Sequence, residues 1–98
     1  LARLEFARAA QSASPAADLA KLIAAKPEDL ESRYLFGATL AAAGSYADAM
    51  EQFFAIMKHN RRFNGDIGRR SLISVFEILG NDHELVQQYR RKMAPLLY

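Results

Sequence analysis

The sequence predicts an all-α domain of three antiparallel helical hairpins, about six helices, stacked as a right-handed superhelix. Composition is the first reason. The 98 residues include 18 Ala and 12 Leu but only five Ile and two Val, so helix formers outnumber strand formers. The second reason is a repeat of apolar and glycine positions at an offset of 34 to 36 residues. The third is a set of glycine and capping residues at the predicted helix breaks.

The middle of the chain is the template for this repeat. Five of its positions match residues 36 places later, and four match residues 34 places earlier. We therefore expect a partial repeat at 1–28, a repeat at 29–63 and a C-terminal capping repeat at 64–98. The template positions and their later matches are Phe36, Leu40, Gly44, Phe53 and Met57, then Leu72, Phe76, Gly80, Tyr89 and Met93; the earlier matches are Phe6, Leu19, Leu22 and Ile23.

The first unit predicts helices over 2–11 and 15–25. Ser14 is the expected N-cap of the second helix, and Pro15 suits the first helical position because its missing N–H has no intrahelical acceptor there. Pro27 closes this helix.

The middle unit predicts helices over 29–43 and 46–59. Gly44 is expected to end the first in a left-handed conformation, and Ser45 with Asp48 resembles a capping box that starts the second. Steps of three and four residues place one apolar stripe along the second helix. That stripe is Tyr46, Ala49, Met50, Phe53, Ile56 and Met57.

The last unit predicts helices over 66–79 and 82–94. Gly80 and an N-cap at Asn81 repeat the helix stop and start signals that Gly44 and Ser45 give in the middle unit. A polar, basic link that ends in the turn dipeptide Asn64-Gly65 separates the two units.

The middle unit resembles the tetratricopeptide repeat, whose 34-residue pattern is W-x2-L-G-x2-Y followed by A-x3-F. The small residues of that pattern let the paired helices approach closely, and the large ones fill the space around them. The matching residues are Phe36, Gly37, Ala49 and Phe53, whereas Arg33 and Leu40 replace the pattern's aromatic residues. The resemblance implies a tetratricopeptide-like superhelix.

The second half of the chain has a narrower resemblance. The runs RRSLISVFEILG and HELVQQYRRKMAPLLY are similar to the C-terminal repeats of the bacterial thioredoxin-like co-chaperones, also called chaperedoxins. This resemblance implies a cytoplasmic bacterial protein that binds unfolded clients and docks to a GroEL-type chaperonin through its C-terminal helix. It also implies a thioredoxin-like domain upstream, against which these repeats would pack.

The C-terminal helix and tail are the first candidate binding site. Apolar residues continue one stripe to the end of the chain although Pro95 interrupts a helix. Either the stripe covers the open end of the repeat stack, or its last residues enter a partner's groove. The candidate residues are Tyr89, Arg90, Arg91, Met93, Leu96, Leu97 and Tyr98.

The concave face of the repeats is the second candidate site. On the middle unit this face is expected to be smooth because its side chains are mostly small. It lacks the Lys and Asn with which other repeat proteins bind a peptide carboxylate. Contact with clients through apolar surface and packing against the upstream domain both remain open. The candidate residues are Glu31, Tyr34, Ala38, Arg70 and Ser74.

A basic cluster lies at the link between the last two units. The residues after Met57 include eight basic and four acidic ones, so this half is positively charged. Phosphate binding is one interpretation. A solvated surface, or one that faces an acidic protein, is favoured because no series of aromatic residues for base stacking accompanies the charges. The cluster is Lys58, Arg61, Arg62, Arg69 and Arg70.

Composition excludes most catalytic chemistry. No cysteine is present, so thiolate metal sites and disulfides are impossible. His59 and His83 lack metal-ligand spacing, and no phosphate-binding loop is recognisable. The longest near-apolar run, Tyr34–Ala43, is half of what a membrane span needs.

We therefore predict a non-enzymatic, protein-binding module without catalytic residues, metal or cofactor and without a membrane segment. The alternatives are a tetratricopeptide adaptor for an unrelated peptide and a basic helical domain that contacts nucleic acid.

Overall fold

The helices of the computed structural model confirm the predicted all-α class. The model describes residues 2–97, and within that range it contains six α-helices, one short 3-10 helix and no β-strand. Every helix end lies within two residues of its predicted position. The elements are α1 (Ala2–Ser12), α2 (Ala16–Ala25), α3 (Leu30–Ala42), α4 (Tyr46–His59), α5 (Ile67–Leu79), α6 (Glu84–Met93) and the 3-10 helix Ala94–Leu96. None of the described helices is long and apolar enough to cross a membrane.

The turn between α3 and α4 follows the predicted glycine signal. Gly44 has φ of +85°, a conformation that a residue without Cβ adopts at little cost. The amide of Gly44 donates to the carbonyl of Ala41 at 3.0 Å, and the amide of Ser45 donates to that of Leu40 at 2.8 Å. These two bonds form a Schellman motif, which satisfies carbonyls at the end of α3 and reverses the chain into α4.

Two of the predicted N-caps are wrong, and Ser45 holds the N-cap position of α4 without the side-chain hydrogen bond of the predicted capping box. Ser14 does not cap α2; Pro15 holds that position, and its carbonyl accepts from the amide of Leu19 at 3.1 Å. Asn81 does not cap α6 either, because a turn delays the helix and His83 accepts from the amide of Leu85 through Nδ1 at 3.1 Å. A single N-cap residue in the sequence therefore predicts that a helix begins nearby, but it locates the first helical residue only to within one or two positions.

The core forms around the predicted stripe of α4. Phe53 is fully buried, and its ring stacks on Phe6 of α1 with ring centroids 5.6 Å apart. Tyr34 of α3 lies beside the same ring at 6.3 Å. Apart from half-buried Tyr46, the stripe is buried, as predicted, in Ala49, Met50, Phe53, Ile56 and Met57. One aromatic side chain of α4 thus joins helices from the first two units.

Helix α1 lies across the inner side of the array. It packs along α3 and also reaches α5, although α3 and α5 belong to consecutive units. Phe6 anchors this arrangement with only 2% of its surface exposed. The inner side, which the sequence suggested as an open groove, is therefore largely covered by the chain's own first helix.

Candidate functional site

The C-terminal helix divides into a buried side and an exposed side. Tyr89 and Met93, both candidates for partner contact, belong to the core and have almost no exposed surface. Arg90 and Arg91 are exposed. The two buried side chains position α6 against α4 and α5 and leave its cationic side exposed.

The tail after α6 remains partly open to solvent. Pro95 lies in the 3-10 helix Ala94–Leu96, so the α-helix ends where the sequence predicted that it would stop or bend. Leu96 and Leu97 pack against the core but are only half-buried. Tyr98, the remaining candidate in the tail, lies outside the described residues.

Arg61 fixes the position of this tail. Its Nη1 donates to the carbonyl oxygen of Leu96 at 3.0 Å, although 35 residues separate the two. A charged donor on a main-chain acceptor is stronger than a neutral one. Arg61, predicted as part of a basic cluster, thus holds the exposed leucines at a defined place.

A polar network covers the outer side of α4 and α6. The Tyr89 hydroxyl donates to the carboxylate of Glu51, and Lys92 lies 3.7 Å from that carboxylate and 4.6 Å from the Tyr89 ring. Burial raises the pKa of Tyr89, and the hydrogen bond and negative charge of Glu51 raise it further. Phe54, which is out of phase with its own stripe, packs edge-on against Tyr89 at 5.9 Å. These contacts join the last two units and are not a ligand site.

The concave candidates are not one open surface. Ala38 has no exposed surface, so a ligand cannot touch it in this conformation. Tyr34 is half-buried, and burial raises its pKa, with smaller contributions from Glu5 and Glu31 against an opposing one from Arg70. Glu5 belongs to α1, and α1 packs along α3, the helix that contains Tyr34. Only Glu31 and Arg70 among the five candidates are exposed.

Arg70 and Ser74 make local contacts with backbone. Arg70 donates through Nε to the carbonyl of Gly65 at 2.8 Å and through Nη2 to that of Asn64 at 3.1 Å. Ser74 Oγ donates to the carbonyl of Arg70, one turn earlier. Asn64 and Gly65 both have positive φ, and Arg70 holds the tight turn that they form. A structural function therefore accounts for the side chains of Arg70 and Ser74.

The basic cluster is divided among different tasks. Arg61 binds the tail and Arg70 binds the turn, as described above. Lys58 lies 5.2 Å from the centre of the Phe54 ring, in a cation–π contact. Arg62 is exposed on the link. Arg69 lines a groove, so the five residues of the cluster differ in what they contact.

That groove, of about 570 Å³, lies between α5 and the end of α6. We call it the C-terminal groove. Its apolar lining is Ile73, Phe76, Met93 and Leu97, and its polar lining is Arg69, Glu77, Asn81 and Arg90, with Gly80 at the end of α5. In the sequence-based prediction, Arg90, Met93 and Leu97 belong to the C-terminal helix and tail but Arg69 to the basic cluster. The spacing of 69, 73, 76 and 80 is a sequence signal for the α5 wall alone, and only the packing of α6 beside α5 joins the two walls.

The arrangement offers binding contacts and no recognisable catalytic constellation. Within residues 2–97, no group of three His, Asp or Glu side chains is placed to bind a metal ion. His83 is used as a helix cap, and His59 is exposed at the end of α4. The chemistry available is that of arginine side chains beside apolar surface.

Comparison with known proteins gives one match. A family model described as tetratricopeptide repeat matches residues 9–98. No curated protein and no solved structure matches the chain.

Proposed function

The chain belongs to the tetratricopeptide repeat family, a family of protein–protein interaction modules, and we propose that it binds unfolded clients and docks to a GroEL-type chaperonin. In this proposal it is the C-terminal part of a cytoplasmic thioredoxin-like co-chaperone. It has no catalytic activity, cofactor or metal of its own. The partial repeat 1–28, the repeat 29–63 and the capping repeat 64–98 act together as one domain.

The half-buried leucines of the tail carry this proposal. Leu96 and Leu97 follow directly after α6 at the end of the array, and Arg61 holds the backbone between them in place. Apolar side chains presented by a fixed backbone lose little conformational entropy when a partner covers them. The exposed Arg90 and Arg91 supply a polar rim around that contact.

The concave face supports a second, weaker contact. Glu31 is exposed and Tyr34 half-buried on the side where α1 crosses the array. Since Ala38 is buried and α1 packs along α3, contact there would involve α1 and α3 together. We propose this surface as the place where an upstream thioredoxin-like domain packs, and we expect Glu31 and Tyr34 variants to affect that packing.

The test is binding of the full chain to purified chaperonin. We expect that replacing both Leu96 and Leu97 by Ser, or deleting residues 95–98, abolishes binding and leaves the thermal unfolding curve nearly unchanged. The matched control is the double variant Leu4→Ser and Leu22→Ser. These two leucines are 50% and 48% exposed and lie at the other end of the chain, on α1 and α2.

Two outcomes would count against the proposal. Unaltered chaperonin binding by the tail variants would remove the docking function from the C-terminus. Equal loss in the tail variants and in the Leu4 and Leu22 control would show general adhesion of apolar surface in place of a defined docking element.

A further inference from the structure

The open end of the array is apolar although no further repeat covers it within the described chain. In a stack of repeats each hairpin packs against the next, and terminal repeats usually carry a polar outer face. Here the partly exposed Ile73 and Leu97 line the C-terminal groove above the buried Phe76 and Met93, so a further helix has apolar side chains to pack on.

The lining follows helical spacing on both walls. Arg69, Ile73, Phe76 and Gly80 lie along one side of α5, and Arg90, Met93 and Leu97 continue along α6 and the tail. From residue 69 to residue 80 the α5 wall extends about 16 Å, or three helical turns. These dimensions suit a helix that lies lengthwise in the groove.

Arginines lie toward opposite ends of the groove. Arg69 is in the first turn of α5, whereas the Arg90 guanidinium is beside Asn81, just beyond the end of α5. Arg90 is held in place by a 2.7 Å hydrogen bond to Asn81 Oδ1 and by the Phe76 ring, 5.5 Å from its central carbon. Arginine binds carboxylates through several N–H donors at once, and a guanidinium that is already oriented loses less entropy in doing so.

The charges of the lining residues therefore indicate which kind of helix would bind in the groove. Glu77 is the single acidic side chain among the lining residues, against two arginines. The half of the chain that contains the groove also has an excess of basic residues. An apolar floor with cations at both ends complements a helix that has acidic residues at both ends of its apolar stripe.

We propose that the C-terminal groove binds an amphipathic helix of a partner protein whose aspartates or glutamates pair with Arg69 and Arg90. The apolar stripe of that helix covers Ile73 and Leu97 and the small exposed parts of Phe76 and Met93. This proposal rests on the proposed function only in treating the chain as a protein-binding module. It does not depend on the partner's being a chaperonin.

The test uses two fluorescent peptides of about 16 residues, long enough for a marginal helix. Both carry leucines along one stripe; the first has glutamates beside that stripe at both ends, and the second has lysines at the same positions. Fluorescence anisotropy with the full chain measures their affinities. We expect the glutamate peptide to bind at least about tenfold more tightly than the lysine peptide, because two exposed charge pairs change sign between them.

The matched variants reverse charge inside and outside the groove. We expect the double variant Arg69→Glu and Arg90→Glu to invert the preference, so that it binds the lysine peptide more tightly. The control is Arg8→Glu with Lys21→Glu, which changes the net charge equally on the exposed surfaces of α1 and α2 and should preserve the preference. Circular dichroism melting of each variant verifies that it is folded.

Three results would overturn the proposal. They are equal affinity for both peptides, the same loss in the groove variant and in the control, and displacement of the glutamate peptide by a short single-stranded oligonucleotide at the same arginines. The last result would assign the groove to phosphate. Because Arg90 also belongs to the rim proposed for chaperonin docking, chaperonin binding is measured with Arg69→Glu alone, which leaves Arg90 and the tail leucines intact. Unchanged docking together with a reduced preference for the glutamate peptide separates the two proposals.

Discussion

A Cβ placed on Gly37 would lie 2.5 Å from Cε1 of Phe53, so the phenyl ring occupies the space that a larger residue at position 37 requires. The same ring lies over Gly37 of α3 and stacks on Phe6 of α1. A missing side chain on α3 therefore lets one residue of α4 reach α1, and this contact connects the first unit to the second.

The first prediction concerns Gly37→Ala. Alanine gains about 0.5–1 kcal/mol in a helix, but forcing a methyl group into a packed core costs about 1–3 kcal/mol. Because Phe53 is fully buried and cannot swing away, we expect a net loss of stability in urea unfolding. In a Phe53→Leu background the substitution should cost less, and equal losses in both backgrounds would refute the steric explanation.

The second prediction concerns the attachment of α1. Phe6→Ala removes a buried aromatic side chain, so we expect a loss of about 3–5 kcal/mol in the free energy of unfolding. Amide hydrogen exchange should become faster in α1 than in α4. Leu4→Ala, half exposed on the same helix, is the control and should cost far less. Similar losses in the two variants would mean that α1 is not anchored through Phe6.

The third prediction is a pH dependence from Tyr89. Burial and Glu51 raise the pKa of its hydroxyl above the ordinary value of 10.0. The folded state therefore retains a proton that the unfolded state releases as pH rises past 10, and the stability from this group decreases with pH there. We expect denaturant titrations from pH 8 to pH 11 to show a steeper decline for the natural protein than for Tyr89→Phe. Parallel curves would contradict this explanation.

The fourth prediction concerns the start of α3. Asp29 accepts from the amide of Ser32 at 3.2 Å and from its hydroxyl at 2.9 Å, and these bonds, the backbone one first, hold the pKa of Asp29 below its ordinary value of 3.8. We expect Asp29→Ala to cost about 0.5–2 kcal/mol at pH 7. The difference should vanish as pH falls through the lowered pKa, because protonation removes the charged acceptor. Asp18→Ala, exposed on α2, is the control.

Much of the fold follows from local rules that the sequence displays. The stripe on α4, the glycine at position 44 and the overall order of six helices depend on neighbours three to five residues away. Such interactions can be inferred from spacing alone. Errors arose where two residues competed for one function, as Asn81 and His83 did for the cap of α6. Side-chain geometry decides such a competition, and it is not visible in the order of residues.

The candidate surfaces were less predictable because exposure depends on distant helices. Ala38 had the right place in its repeat for a concave contact, but it is fully buried on α3, the helix along which α1 packs. The side chains of Arg61 and Arg70 donate hydrogen bonds to main-chain carbonyls. Their positive charge alone does not predict which carbonyl each of them binds. The C-terminal groove requires α5 and α6 to be placed side by side before Arg69 and Arg90 face the same space.

The order of residues determined the helices, their pairing and the class of protein, because helix formation depends on short-range periodicity and on caps within a single turn. Tertiary packing alone decided which helix covers the inner side and which arginines remain available to a ligand. The physical reason is that burial is a property of the assembled array. A side chain becomes surface or core only when helices far apart in sequence meet around it.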